Sequence, residues 1–186
     1  MCPVGTGTMK RQQGFMDINT CENIIRNIEG KDIPIRFIRW GEPTLHRDYI
    51  KFIKMAKDSG IKVHMNTNGT LLNEKQIKEL IDIGLDSIKF SFQGVDRQSY
   101  LEMRNNDYFD ELINKIKSFY ELRGNKQKPY IQVSTTITYE SKEKVKNFKE
   151  LISPYCDLVT VGRTILEHID LDKVKLNETE KNYWKS

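Results

Sequence analysis

Cysteine, histidine and long apolar runs are all scarce in this chain, and each scarcity removes a class of protein. The three cysteines, Cys2, Cys21 and Cys156, are odd in number and far apart, which excludes the disulfide framework of a small secreted domain. Cys21 and Cys156 read as small apolar filler, whereas Cys2, beside Pro3 and Gly5, sits in a loop. The three histidines, His46, His64 and His168, are too scattered for a metal set, and no Ser-His-Asp or Cys-His arrangement emerges. No apolar run approaches the ~20 residues that cross a bilayer. The N-terminus lacks the basic-then-apolar pattern of a signal peptide. A cytoplasmic location with no membrane partner is therefore expected. The formal charge of +4 is spread along the chain; Lys142-Glu143-Lys144-Val145-Lys146 has the mixed character of a wet helix face. With no basic block and no aromatic ladder, nucleic acid is not an expected partner. No glycine-rich phosphate loop stands near the last strand-like runs, and no lysine ends a strand in an apolar setting, which disfavours phosphate or aldol chemistry.

What is present is a repeat. The 186 residues, 30% charged and 38% hydrophobic, suit one globular domain. Short β-rich runs occupy 35–40, 62–66, 87–92, 130–137 and 157–163. Between them lie segments of helical period: Ile24, Ile25 and Ile28; Tyr49, Phe52, Ile53 and Ala56 before Gly60; Leu80, Ile81 and Ile83 before Gly84, with Asn73 as cap; Leu112, Ile113, Ile116 and Phe119 before Gly124; and Val145, Phe148, Leu151 and Ile152 before Pro154. Strands alternating with helices give an α/β fold with a parallel sheet, curved into a barrel or part of one. In such folds the site lies at the carboxyl ends of the strands. The unusual residues gather there: Gly41-Glu42-Pro43, Asn66-Thr67-Asn68-Gly69, Ser91-Phe92-Gln93-Gly94, 136–140 and Gly162-Arg163. The core is expected over 1–170, with 171–186 a polar tail or linker.

Three segments carry a family likeness: Met1-Cys2-Pro3-Val4-Gly5, Arg39-Trp40-Gly41-Glu42-Pro43-Thr44-Leu45, and His64-Met65-Asn66-Thr67-Asn68-Gly69-Thr70. In order and spacing they resemble the radical S-adenosylmethionine (SAM) superfamily, in particular its branch with SPASM or twitch domains. The resemblance runs from Cys2 to about residue 170. It implies a partial parallel (β/α) barrel, a 4Fe-4S cluster and SAM. Reductive cleavage of SAM would yield a 5′-deoxyadenosyl radical that abstracts hydrogen from a small-molecule or peptide substrate, with flavodoxin or ferredoxin as electron donor. Cys2 matches the last cysteine of a Cys-x-x-x-Cys-x-x-Cys loop, where thiolates suit iron. The first two cysteines and the strand before them are not in this sequence, so the resemblance implies a barrel lacking its first strand and a chain that opens inside the cluster loop.

Further residues take roles from the same likeness. Gly41-Glu42-Pro43 matches the second half of a Gly-Gly-Glu-Pro motif, with Trp40 in the first glycine's place; Glu42 and nearby carbonyls would accept the SAM ammonium. Ser91 and Arg104 would bind the SAM carboxylate. Asn68 and Gln93 would line a ribose or substrate pocket, and Thr136, Ile137, Val161 and Arg163 would cradle adenine. The plain alternatives are a strand-to-helix turn for Gly-Glu-Pro, a surface ion pair for Arg104, loop caps for Asn68 and Gln93, and packing for the last group. A non-catalytic SAM-binding module is the competing functional reading, and titration with SAM in the absence of iron separates the two.

Overall fold

The protein is described by a computed structural model covering residue 10, residue 12 and residues 14–38 and 41–163. Cys2, Trp40 and the tail from 164 lie outside the described residues, as does the expected boundary at 170.

Five strands, β1 (Ile35–Phe37), β2 (Val63–Thr67), β3 (Ser87–Ser91), β4 (Tyr130–Ile137) and β5 (Leu158–Arg163), form one sheet in the order β1-β2-β3-β4-β5. Every pair is parallel, so each connection must cross over. Helices α1 (Ile18–Ile28), α2 (Tyr49–Asp58), α3 (Glu74–Asp82), α4 (Arg97–Arg104), α5 (Phe109–Arg123) and α6 (Lys142–Ile152) precede the sheet or fill those crossovers. The α/β class and the parallel sheet are as expected.

The caps explain the helix limits. Asp17 accepts from Thr20 N at 2.9 Å and starts α1 at Ile18, well ahead of the apolar positions Ile24, Ile25 and Ile28. Asn73 and Gln76 close a reciprocal cap on α3. Gly84 follows α3 with a φ of +73°, a conformation only glycine adopts cheaply. Pro154 lies in a 3-10 turn over Ser153–Tyr155 that follows α6.

Residues of β2, β3 and most of β4 alternate between the core and the opposite face. Val63, Met65, Ile88, Phe90, Ile131 and Val133 are almost wholly buried and pack with Ile53, Leu80, Leu112, Ile116, Phe119 and Phe148 of the helices in one core. Truncating such a side chain to alanine costs about 2–5 kcal/mol. The intervening residues of β2, β3 and β4 are polar and half-buried.

Two elements differ from expectation. β1 ends at Phe37 rather than Trp40; only Ile35, Arg36 and Phe37 find partners on β2, and Ile38 is 46% exposed. Helix α4 was not anticipated. It buries only Ser99 and Tyr100, too little to leave a periodic apolar signal.

At the amino ends of the strands, Asp86 ties three of them together. Its carboxylate accepts from Lys57 Nζ at 2.5 Å, Lys128 Nζ at 2.5 Å and Val63 N at 2.8 Å, while its carbonyl accepts from Tyr130 N at 2.9 Å. Burial pushes the carboxyl up, but Lys128, Lys57 and the Val63 amide outweigh it and hold the group below the usual carboxylate range. A carboxyl lowered in the folded state adds stability above its unfolded pKa of ~3.9, which is lost as pH falls through the folded value. Asp86→Asn is expected to cost about 1–3 kcal/mol in urea unfolding at pH 7. The gap from wild type should close on acidification; a gap unchanged by acid would place the cost elsewhere.

Candidate functional site at the carboxyl ends of the strands

Glu42 follows β1 and caps a 3-10 turn, Pro43–Leu45, with Pro43 in its first turn. Its carboxylate reaches across to the end of β2. Oε1 accepts from Thr44 N (3.2 Å), Thr44 Oγ1 (2.8 Å) and Thr67 Oγ1 (2.7 Å), and Oε2 accepts from Asn68 N (2.7 Å). All four donors are neutral, and no Lys or Arg pairs with Glu42 among the described residues. No described cation offsets the carboxylate, and one acceptor position on Oε2 stays open. Gly41 is exposed, with nothing within 4 Å of the place a Cβ would take.

The β2 end is fixed in turn. Thr67 Oγ1 accepts from Gly69 N at 2.9 Å, and Asn68 Oδ1 accepts from Thr70 N at 2.9 Å and Thr70 Oγ1 at 2.7 Å. The Asn68 side chain therefore does cap its own loop, which leaves its amide donors for a ligand. Gly69 has φ +74°, and a Cβ there would lie 2.5 Å from Leu112 Cδ1, so the turn admits only glycine.

After β3 the chain is stitched to β4. Phe92 N donates to the Ser134 carbonyl at 2.7 Å and Gly94 N to the Thr136 carbonyl at 2.9 Å, while Thr135 Oγ1 donates to the Gly94 carbonyl. A Cβ on Gly94 would meet Ser99 Oγ at 2.4 Å. Asp96 and Ser99 then cap α4 reciprocally. At its far end Arg104 returns to β3, where Nη2 donates to the Ser91 carbonyl at 2.8 Å. Arg104 Nε is buried without a partner. A buried guanidinium donor left unmatched costs free energy unless a ligand supplies the acceptor.

The pairing register brings these parts onto one rim. Thr67 pairs with Phe90, so Asn68 and Ser91 lie one strand spacing apart, roughly 4.8 Å. Thr136 lies two residues past Ser134, the partner of Ser91. Gly41, Glu42, Pro43, Asn68, Ser91, Gln93, Arg104 and Thr136 accordingly cluster at the ends of β1 to β4. Val161 and Arg163 do not join them by side chain. Val161 pairs with Thr135 and Arg163 with Ile137, and buried Thr135 belongs to the helix-packed face; directly opposed residues share a face.

Sequence reasoning passed over Thr44 and Thr67, which hold Glu42, and Gly94 with Ser99, which shape the β3 loop. It also passed over the wet face of the sheet below the rim, although His64-x-Asn66 and Ser87-x-Lys89-x-Ser91 alternate visibly with apolar residues. There His64 Nδ1 lies 2.6 Å from Ser87 Oγ and Nε2 lies 2.6 Å from Asn66 Oδ1. Burial lowers the His64 pKa, Asn66 opposes this, and Arg36 and Lys89 add to the lowering. These causes favour the neutral ring, and with Asn66 Oδ1 assigned as the acceptor the neutral tautomer places its proton on Nε2.

Glu42 and Arg104 thus stand as opposite charges at the strand ends of an α/β domain, the end at which such folds place their ligand sites. The model of the radical SAM superfamily matches residues 1–153, and the chain belongs to that superfamily. It is 45% identical over 80 residues to the uncharacterized protein MJ0804 of Methanocaldococcus jannaschii (42% of this chain, 28% of that protein). It is 44% identical over 78 residues to a probable GTP 3′,8-cyclase of Sulfurisphaera tokodaii (41% and 25%). Among solved structures, Streptococcus suis SuiB bound to its precursor peptide SuiA superposes with a TM-score of 0.72 at 18% identity, over 100% of this chain and 42% of SuiB. SuiB bound to SAM superposes with a TM-score of 0.69 at 18% identity, over 95% and 41%. The matches span less than a third of the curated relatives' length.

The Glu42 bridge has its own test. Glu42→Ala leaves the Thr67 hydroxyl and Asn68 N–H unpaired and is expected to cost about 1–3 kcal/mol. Hydrogen exchange at the Asn68 amide should quicken at least tenfold; an unchanged rate would show that the carboxylate does not hold the turn.

Proposed function

We propose that the chain is the core of a SAM-cleaving enzyme of the SPASM or twitch-type branch, which binds SAM on the rim and a 4Fe-4S cluster beside it. When bound, these groups supply a 5′-deoxyadenosyl radical for hydrogen abstraction from a small-molecule or peptide substrate, with flavodoxin or ferredoxin as electron donor. One observation carries the reading: a carboxylate without a counter-cation among the described residues at Glu42, and a buried, partly unmatched guanidinium at Arg104, stand on one rim. That is the charge pattern that complements the amine and carboxylate of an amino acid.

In this arrangement Glu42 Oε2 accepts from the ammonium, with carbonyls of 41–43 as further acceptors. Thr67 and Asn68 N keep the carboxylate in place. Arg104, aimed by the Ser91 carbonyl, donates to the SAM carboxylate together with Ser91 Oγ. Asn68 and Gln93 offer amide donors to ribose hydroxyls. Near adenine, Thr136 contributes from the wet face, while Val161 and Arg163 can contribute only through their backbone.

The cluster calls for thiolates. Cys21 is 5% exposed in the core, where burial pushes its thiol up. Burial pushes Cys156 to about 11, and its thiol donates to the Ile152 carbonyl at 3.5 Å. Both are held as neutral thiols, which are poor iron ligands. No group of three His, Cys, Asp or Glu among the described residues could hold a metal ion. Cys2 is the candidate thiolate within this sequence.

Calorimetric titration of the full-length, anaerobically reconstituted protein tests the assignment. Arg104→Met should weaken SAM binding about 10- to 100-fold, the worth of a charge-assisted hydrogen bond, while Lys54→Met on the exposed face of α2 should not. Absence of both an iron–sulfur absorbance and SAM cleavage in the wild-type protein would remove the proposal.

A further inference from the structure

Below the rim, the wet face of the sheet carries two cations, Arg36 and Lys89, and no anion among the described strand residues. Arg36 pairs in register with His64, and His64 with Ser87. One layer nearer the rim, Asn66 pairs with Lys89 and Lys89 with Gln132. All point away from the helices, because Val63, Met65, Ile88 and Ile131 between them are buried in the core. No Asp or Glu occupies this face of any strand.

Neither Arg36 nor Lys89 forms a hydrogen bond or an ion pair with any described residue, whereas the helical side matches its lysines with acids, as in Lys54–Asp58 and Lys57–Asp86. Lys89 is half-buried; burial first, and the Arg36 charge second, weaken its hold on its proton. Two unmatched cations near each other on a partly desolvated wall are a standing cost that an anion would relieve.

The neighbouring polar groups are arranged as donors. The Asn66 carbonyl oxygen is taken by His64 Nε2, and His64 Nδ1 is taken by the Ser87 hydroxyl. The Gln132 amide leans on Thr160 Oγ1 at 3.3 Å. What remains free at the centre is the Asn66 amide, the Lys89 ammonium and the Arg36 guanidinium, a set that suits an oxyanion.

We propose that Arg36, Lys89 and the Asn66 amide form a seat for an oxyanion of the substrate, a phosphate or a carboxylate, on the wall below the SAM rim. Lys89 and Ser91 lie on the same face of β3, two residues and roughly 6.6 Å apart. A substrate held there by its charged end would direct its neutral portion to the rim. The seat rests on the proposed function only for its claim that this wall faces the substrate.

The test uses the full-length reconstituted protein, with pyrophosphate and succinate as probes in separate calorimetric titrations. Saturable 1:1 binding of at least one probe is expected. Lys89→Met and Arg36→Met should each weaken it about tenfold or more, Lys89→Arg should restore it, and Lys54→Met should leave it unchanged. Preference for one probe separates a phosphate-bearing from a carboxylate-bearing substrate. SAM affinity, measured on the same samples, should stay within about twofold of wild type. Absence of saturable binding of both probes, or equal weakening by Lys54→Met, overturns the seat. If Lys89→Met weakens SAM as much as the probe, Lys89 serves the SAM carboxylate and the seat is overturned as well. Probe binding that follows these residues in a protein that neither binds nor cleaves SAM would instead leave the seat standing and remove the enzymatic reading.

Discussion

A strand in a one-sided parallel sheet must give alternate residues to the core and to water, and this constraint of period two organises the whole molecule. Helices cover one face, so Met65, Ile88, Phe90 and Val133 are sealed there. The opposite residues are then free of packing demands and become polar. Where strands end, the backbone has no further ladder partner, and loops must satisfy it. Glu42 and the β3 loop meet that need, and in doing so they create the rim.

Glu42 shows how structural and functional demands coincide in one side chain. Four neutral donors hold it, drawn from its own turn and from β2. An arginine or lysine partner would have bound the turn more strongly, but would have cancelled the charge. Neutral donors fix the position and spare the charge, which is the requirement for recognising an external ammonium. Arg104 is the mirror case: a neutral carbonyl aims it, and Nε remains unmatched.

The alternation of strands and helices was legible because each element obeys its own period and ends at a capping residue or a glycine. Asn73 and Gly84 are examples. Helix α4 was not legible, since it is anchored by one tyrosine, one buried serine and the Asp96–Ser99 cap rather than by an apolar stripe. β1 was read too long because its apolar residues continue past the point where β2 offers partners. The rim was legible as a set of strand ends, but the bond from Glu42 to Thr67 spans 25 residues and leaves no local trace. Val161 and Arg163 are expected at adenine through backbone groups and apolar contacts; counting by twos from Val133 and its partner Val159 gives their side chains the parity of the packed face, although Arg163 itself is exposed.

Parity also gives the wall its chemical direction. Proceeding up β3, the wet positions are Ser87, Lys89 and Ser91, so the cation lies beneath the hydroxyl at the rim. Across the sheet, His64 consumes the acceptors of Asn66 and the donor of Ser87. A protonated imidazole would need two acceptors, and Ser87 can supply one only by turning its own proton away. Burial first, then the two nearby cations, lower the pKa of the ring, which favours a single pattern in which the outward groups donate. In the proposed reading, that wall of donors with unmatched positive charge lies beneath a rim where Glu42 and Arg104 carry opposite charges.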